Sequence, residues 1–85
     1  MADIIIYTAV PCGYCMAAKQ FFDARGLAYS EIDLTGDTPK RLKLLERTGQ
    51  RTVPQIFIGE THVGGYTDLR DLERQGDLTA LLEAG

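Results

Sequence analysis

Asp3 to Thr8 is an almost unbroken apolar and β-branched run, which predicts a strand covered on both faces, as at the centre of a sheet flanked by helices. Ala9-Val10-Pro11 breaks it. From Gly13 to Arg25 helix-forming residues carry apolar positions at Cys15, Ala18 and Phe22, predicting a helix that starts near Cys12 and stops at Gly26. Leu27 to Leu34 alternates imperfectly and suits a second strand, returning parallel to the first through a right-handed crossover. Asp37 or Thr38 can cap the next helix, with Pro39 in its first turn and Leu42 and Leu45 as its apolar stripe before Gly49. Val53 to Ile58 is a third strand, and a turn at Gly59-Glu60 leads to a short fourth strand at Thr61 to Val63. Thr67 or Asp68 can cap a helix running to Arg74, and Leu78, Leu81 and Leu82 mark a last amphipathic segment after Gly76. This order predicts a layered α/β fold: a mixed four-stranded sheet flanked by helices, with the first strand central.

Eighty-five residues make one domain, 1–85, since a second core could not be built from so short a chain. No stretch approaches the ~20 apolar residues that span a bilayer, so a membrane-inserted chain is excluded. With 9 Lys+Arg against 12 Asp+Glu, the net charge of −3 argues against a nucleic-acid partner. The chain goes from Met1 straight into its first strand without the features of an export signal, so a cytoplasmic location is expected.

Two cysteines, Cys12 and Cys15, close a loop too short to restrain the unfolded chain, so redox or metal chemistry explains them better than stapling. Zinc is excluded by ligand count, because a structural site needs about four ligands and only these cysteines and His62 are present. His62 falls in the fourth strand, away from the cysteines, and is expected to be an exposed structural residue. Cys12-Gly13-Tyr14-Cys15 stands between a buried strand and a helix, where unpaired backbone N–H groups and the helix dipole favour negative charge on the first sulfur. Cys12 is therefore the expected nucleophile. Cys15, one turn further on and more covered, is placed to attack a mixed disulfide formed on Cys12.

Two further segments bear on substrate. A cis bond at Val53-Pro54, within Thr52-Val53-Pro54, would turn the Val53 backbone outward as an edge for an extended peptide. Gly64-Gly65-Tyr66-Thr67-Asp68 combines close backbone approach, a helix N-terminus and a carboxylate, features suited to a zwitterionic amino-acid end. Edge-strand proline and an ordinary helix cap remain the plain readings of these segments taken alone.

Together, Cys12-Gly13-Tyr14-Cys15, Thr52-Val53-Pro54-Gln55-Ile56-Phe57-Ile58 and Gly64-Gly65 followed by Asp68-Leu69 resemble a dithiol glutaredoxin of the small bacterial type, over nearly the whole chain. The resemblance implies a thioredoxin-like fold, a cis Val53-Pro54 bond, and a glutathione-dependent thiol-disulfide oxidoreductase that works as a monomer. Its partners would be glutathione, protein disulfides and glutathionylated proteins. Cys12 would attack and Cys15 resolve; Tyr14 would flank the tripeptide, Val53 would pair with its cysteine backbone, and Gly65, Tyr66, Thr67 and Asp68 would surround its γ-glutamyl end. Thr52 and Pro54 belong to the same edge, and Arg51, with Gln50, is the cation nearest to it. The remaining cations of the second helix, Lys40, Arg41, Lys43 and Arg47, read as a solvated face. Family members commonly carry a lysine three residues before the first cysteine, where Ala9 stands here, and Val10-Pro11 replaces a polar pair. Gly13 takes the place of the usual proline, a variant found among glutaredoxins that hold a [2Fe-2S] cluster between two subunits with glutathione thiols as extra ligands. A cluster-bridged dimer with Cys12 as iron ligand is thus the alternative reading.

Overall fold

The computed structural model of the chain describes residues 2–84. Eight elements follow one another: β1 (Ile4–Thr8), α1 (Gly13–Ala24), β2 (Ser30–Asp33), α2 (Thr38–Thr48), β3 (Gln55–Ile58), β4 (Thr61–Gly64), α3 (Tyr66–Arg74) and α4 (Asp77–Glu83). The four strands form one sheet in the order β2-β1-β3-β4. β1 lies parallel to β2 and antiparallel to β3, from Ile4 opposite Ile58 to Tyr7 opposite Gln55. β3 and β4 are antiparallel, with an irregularity between Ile56 and Phe57.

Strand alternation divides the core into two layers. Ile4, Ile6, Ile56 and Ile58 point to one face, where Ala18, Phe21 and Phe22 of α1, Leu69 of α3 and Leu78 and Leu82 of α4 cover them. Ile5, Tyr7 and Phe57 point to the other face, which α2 covers with Leu44, next to Leu34. Every residue of β3 is therefore buried, whereas β2, at the edge, is mostly exposed.

Four local expectations need correction. β2 begins at Ser30 rather than Leu27, because α1 ends in a closing turn that claims the intervening amides. Gly26, at φ +65°, donates to Asp23 O at 3.0 Å and Leu27 donates to Phe22 O at 3.0 Å, which takes Leu27 out of the ladder. In α2 the buried residue is Leu44, while Leu42 is 53% exposed. The inner face is set by Arg41, whose Nε donates to Leu34 O, together with Leu44 and Thr48, whose hydroxyl donates to Leu44 O. α3 starts two residues earlier than a Thr67 cap, and three earlier than an Asp68 cap, would allow: Gly65 is the N-cap, and Asp68 sits at the third helical position. His62 is half-buried rather than exposed, its ring 4.9 Å from that of Phe57, which the Arg47 guanidinium also overlies at 4.2 Å.

Candidate active site

β1 carries the chain through the middle of the sheet, and α1 starts just past its C-terminal end with Cys12 as its N-cap. Cys12 has extended backbone, φ −157° and ψ 104°, and its Sγ accepts the Cys15 amide at 3.1 Å. The residue that caps the helix is thus a sulfur, and the donor it satisfies is one of the N–H groups left over at a helix start. No acidic residue stands in the first turn of α1 to oppose negative charge there. Cys12 and Cys15 are joined as a disulfide with Cα atoms 5.3 Å apart. Cys12 is half-buried and Cys15 is 2% exposed, so the first sulfur faces incoming groups and the second lies behind it.

The other predicted segments converge on Cys12. Its Sγ lies 3.7 Å from the carbonyl oxygen of Val53, in the segment that leads into β3. The Val53–Pro54 bond is cis, as the resemblance implied, and the Val10–Pro11 bond is cis as well. Pro54 is buried, while Arg51 and Thr52 are exposed. Gly65 stands beside Pro54, close enough that a Cβ on it would come 3.7 Å from the Pro54 carbonyl oxygen. Tyr14 extends from α1 to stack on Tyr66 of α3, with ring centroids 6.2 Å apart and planes 26° apart. Asp68 Oδ2 accepts the Gly65 amide at 2.9 Å, which fixes the first turn of α3, and Thr67 stands exposed on that turn. Arg51 lines a cavity of about 220 Å³ with Arg41, Gln50, Leu34 and Gln55, on the α2 side of this edge.

Two residues of this arrangement escape the sequence reading. By charge pattern Arg41 belongs with the solvated cations of α2, yet its Nε is tied to Leu34 O at 3.1 Å and its side chain borders the same cavity as Arg51. In the sequence Gln55 stands only as a member of the third strand and its motif, with no role of its own. It is 1% exposed, and its Nε2 donates to Gln50 O and Thr52 O, both at 3.0 Å, holding the loop that presents Arg51 and Val53. The available signal was one amide-bearing side chain inside an otherwise apolar strand.

Such a pair performs thiol–disulfide exchange when reduced: the outer thiolate attacks a disulfide, and the inner thiol displaces whatever becomes attached. The glutaredoxin family model matches residues 4–63. The chain belongs to the glutaredoxin family. A glutaredoxin of Pseudomonas aeruginosa is 49% identical over 84 residues, covering 99% of this chain and 100% of the relative. Glutaredoxin 3 of Escherichia coli is 41% identical over 83 residues, covering 98% of this chain and 100% of its own length. Among solved structures, a buckwheat glutaredoxin–glutathione complex superimposes with a TM-score of 0.86 at 34% identity, covering 98% of this chain and 78% of that one. This glutaredoxin chain is a thiol-disulfide oxidoreductase with a thioredoxin-like fold. Among its described residues no three His, Cys, Asp or Glu side chains gather as a metal site. The alternative of a cluster bridged between two subunits asks one ligand of each chain, Cys12, and the family match and the relatives do not favour it over the dithiol reading. No helix among the described residues is long and apolar enough to cross a membrane.

Proposed function

We propose that this chain reduces protein disulfides and glutathione mixed disulfides with glutathione as co-substrate, as a single-domain monomer of the cytoplasm. The observation that carries the reading is Cys12 Sγ, held by the Cys15 amide at 3.1 Å and set 3.7 Å from the Val53 carbonyl. A sulfur attached to Cys12 lies beside the Val53 backbone, where a peptide can pair in extended form. On one side the tripeptide meets Tyr14, Tyr66 and the first turn of α3, with Gly65, Thr67 and Asp68 receiving its amino-acid end. On the other side it runs past Thr52 and Pro54 to the cavity bordered by Arg51 and Arg41, whose guanidinium groups suit the remaining carboxylate. The glutathione bound by the buckwheat relative supports this choice of co-substrate.

In the cycle, the Cys12 thiolate bonds to the glutathione sulfur of a mixed disulfide, the protein sulfur leaves with the electron pair, and it takes a proton from water. A second glutathione thiolate then attacks the glutathione sulfur on Cys12, releasing glutathione disulfide and restoring Cys12. For a protein disulfide, Cys12 forms the mixed disulfide with the client and Cys15 displaces it. The Cys12–Cys15 bond that results is reopened by two glutathione molecules. The test is turnover of a small glutathione mixed disulfide, with NADPH and glutathione reductase recycling the product. Cys12→Ser is expected to fall to background and Cys15→Ser to keep turning over. Equal rates for wild type and Cys12→Ser would reject the proposal.

A further inference from the structure

Four large apolar side chains stand out as exposed among the described residues, and three flank the cysteine pair: Val10 at 70%, Tyr14 at 66% and Met16 at 58%. Tyr14 turns to α3 and stacks on Tyr66. Val10 lies in the opposite direction, its amide donating to Thr35 Oγ1 at 2.9 Å, just past the end of β2. Met16 follows Cys12 by one helical turn, its amide donating to Cys12 O at 3.3 Å, so it shares the outward face of α1 with the reactive sulfur. Lys19, on the same helix, is engaged by Glu31 at 3.1 Å.

Sheet order gives these positions their meaning. β1, whose C-terminal end leads through residues 9–11 to Cys12, lies between β2 and β3. Val53 and the start of α3 belong to the β3 and β4 side, where the proposed tripeptide edge runs, while Val10 belongs to the β2 side. Disulfide exchange aligns attacking, central and leaving sulfurs. The leaving sulfur therefore lies beyond the glutathione sulfur, outward from Cys12, and with the tripeptide filling the β3 side the exposed surface left beside Cys12 for the client's own chain is the Val10 and Met16 flank. Uncharged, solvated side chains at such a place favour a partner that covers them with apolar surface.

We propose that Val10 and Met16 are specificity-determining residues that recognise the protein half of the substrate, favouring client segments with apolar residues beside the reacting cysteine. This inference rests on the glutathione reading above. The probe is a glutathionylated peptide with leucine on both sides of its cysteine, compared with the same peptide bearing serines. Wild type is expected to prefer the leucine peptide by about fivefold to tenfold in kcat/KM, the range that partial burial of two side chains supplies. Val10→Ser/Met16→Ser should bring the ratio close to one, and Val10→Ile/Met16→Leu should keep it. An absent wild-type preference, or one that survives in the serine variant, overturns the inference. So does a wild-type dimer that covers the patch and shows no preference. Single-turnover reduction of leucine- and serine-flanked peptide disulfides by the dithiol enzyme keeps the two ideas separate. If glutathione mixed disulfides are not turned over, the glutathione reading fails, while the flank ratio in that second assay still decides the role of Val10 and Met16.

Discussion

At Cys12 one residue has two duties, capping a helix and carrying the reaction, and its neighbour Gly13 shows how little else the turn demands. Gly13 is the first residue of α1, and apart from its chain neighbours and the helix's own backbone nothing lies within 4 Å of where its Cβ would stand. A proline there needs an extended residue before it, and Cys12, at φ −157° and ψ 104°, already is one. The missing N–H costs nothing at the first helical position, and the unfolded chain loses freedom. Gly13→Pro is therefore expected to stabilise the protein by about 0.4–1 kcal/mol. Urea unfolding of wild type and variant in the disulfide state checks this, and a lower midpoint in the variant would show that the turn relies on glycine after all.

Among the elements, the β4–α3 junction is the most tightly specified. Gly64 has φ +109°, and a Cβ on it would meet Asp68 Oδ2 at 2.5 Å. Gly65 has extended backbone, and its Cβ would meet only ordinary contacts of 3.7 and 3.8 Å. Gly64→Ala should cost about 1–3 kcal/mol, through backbone strain and displacement of the Asp68 carboxylate from the Gly65 amide, whereas Gly65→Ala should stay within about 0.5 kcal/mol. Equal midpoints in chemical unfolding would refute this ordering. The adjacent glycines are indistinguishable as letters, because only the path of the backbone assigns the positive φ. The same limit runs through the other elements. β1 and α1 were legible because an apolar run, a break and a reactive pair at a helix start are local signals. The phase of α2 was not, since Leu42, Leu44 and Leu45 are equally apolar and the choice of Leu44 depends on how Arg41 and Thr48 meet the sheet. Gln55 and Arg41 acquire their roles only when the 50–52 loop folds back over β3, a contact that no spacing encodes.

Across the whole molecule, β2 is the exposed edge, and one polar network joins it to the central strand and to the reactive helix. Thr8 at the end of β1 is 2% exposed, and its hydroxyl donates to Glu31 Oε2 of β2 at 2.7 Å; Lys19 of α1 donates to the same oxygen at 3.1 Å. The Thr8 hydrogen bond, more than Lys19, holds the Glu31 carboxyl below its usual range. A carboxyl lowered in the folded state contributes stability above its unfolded pKa, about 4.3, and that contribution is lost as pH falls through the lower folded value. Glu31 and Lys19 are about one-third exposed, so solvent screens their ion pair and the hydroxyl is the larger partner. Thr8→Val preserves the β-branched shape and removes the donor. It should cost about 1 kcal/mol at pH 7, and the gap to wild type should narrow on acidification below about pH 4.3, because protonation removes from wild type the charge that the hydroxyl served. Urea unfolding at pH 7, 5 and 3 measures this, and a gap that stays constant over that range would mean that the contribution of the Thr8 hydroxyl does not depend on the charge of Glu31. Because the network ends at Lys19, on the helix that carries Cys12 and Cys15, the same experiment tests whether the edge strand and the reactive helix share one charge-dependent contact.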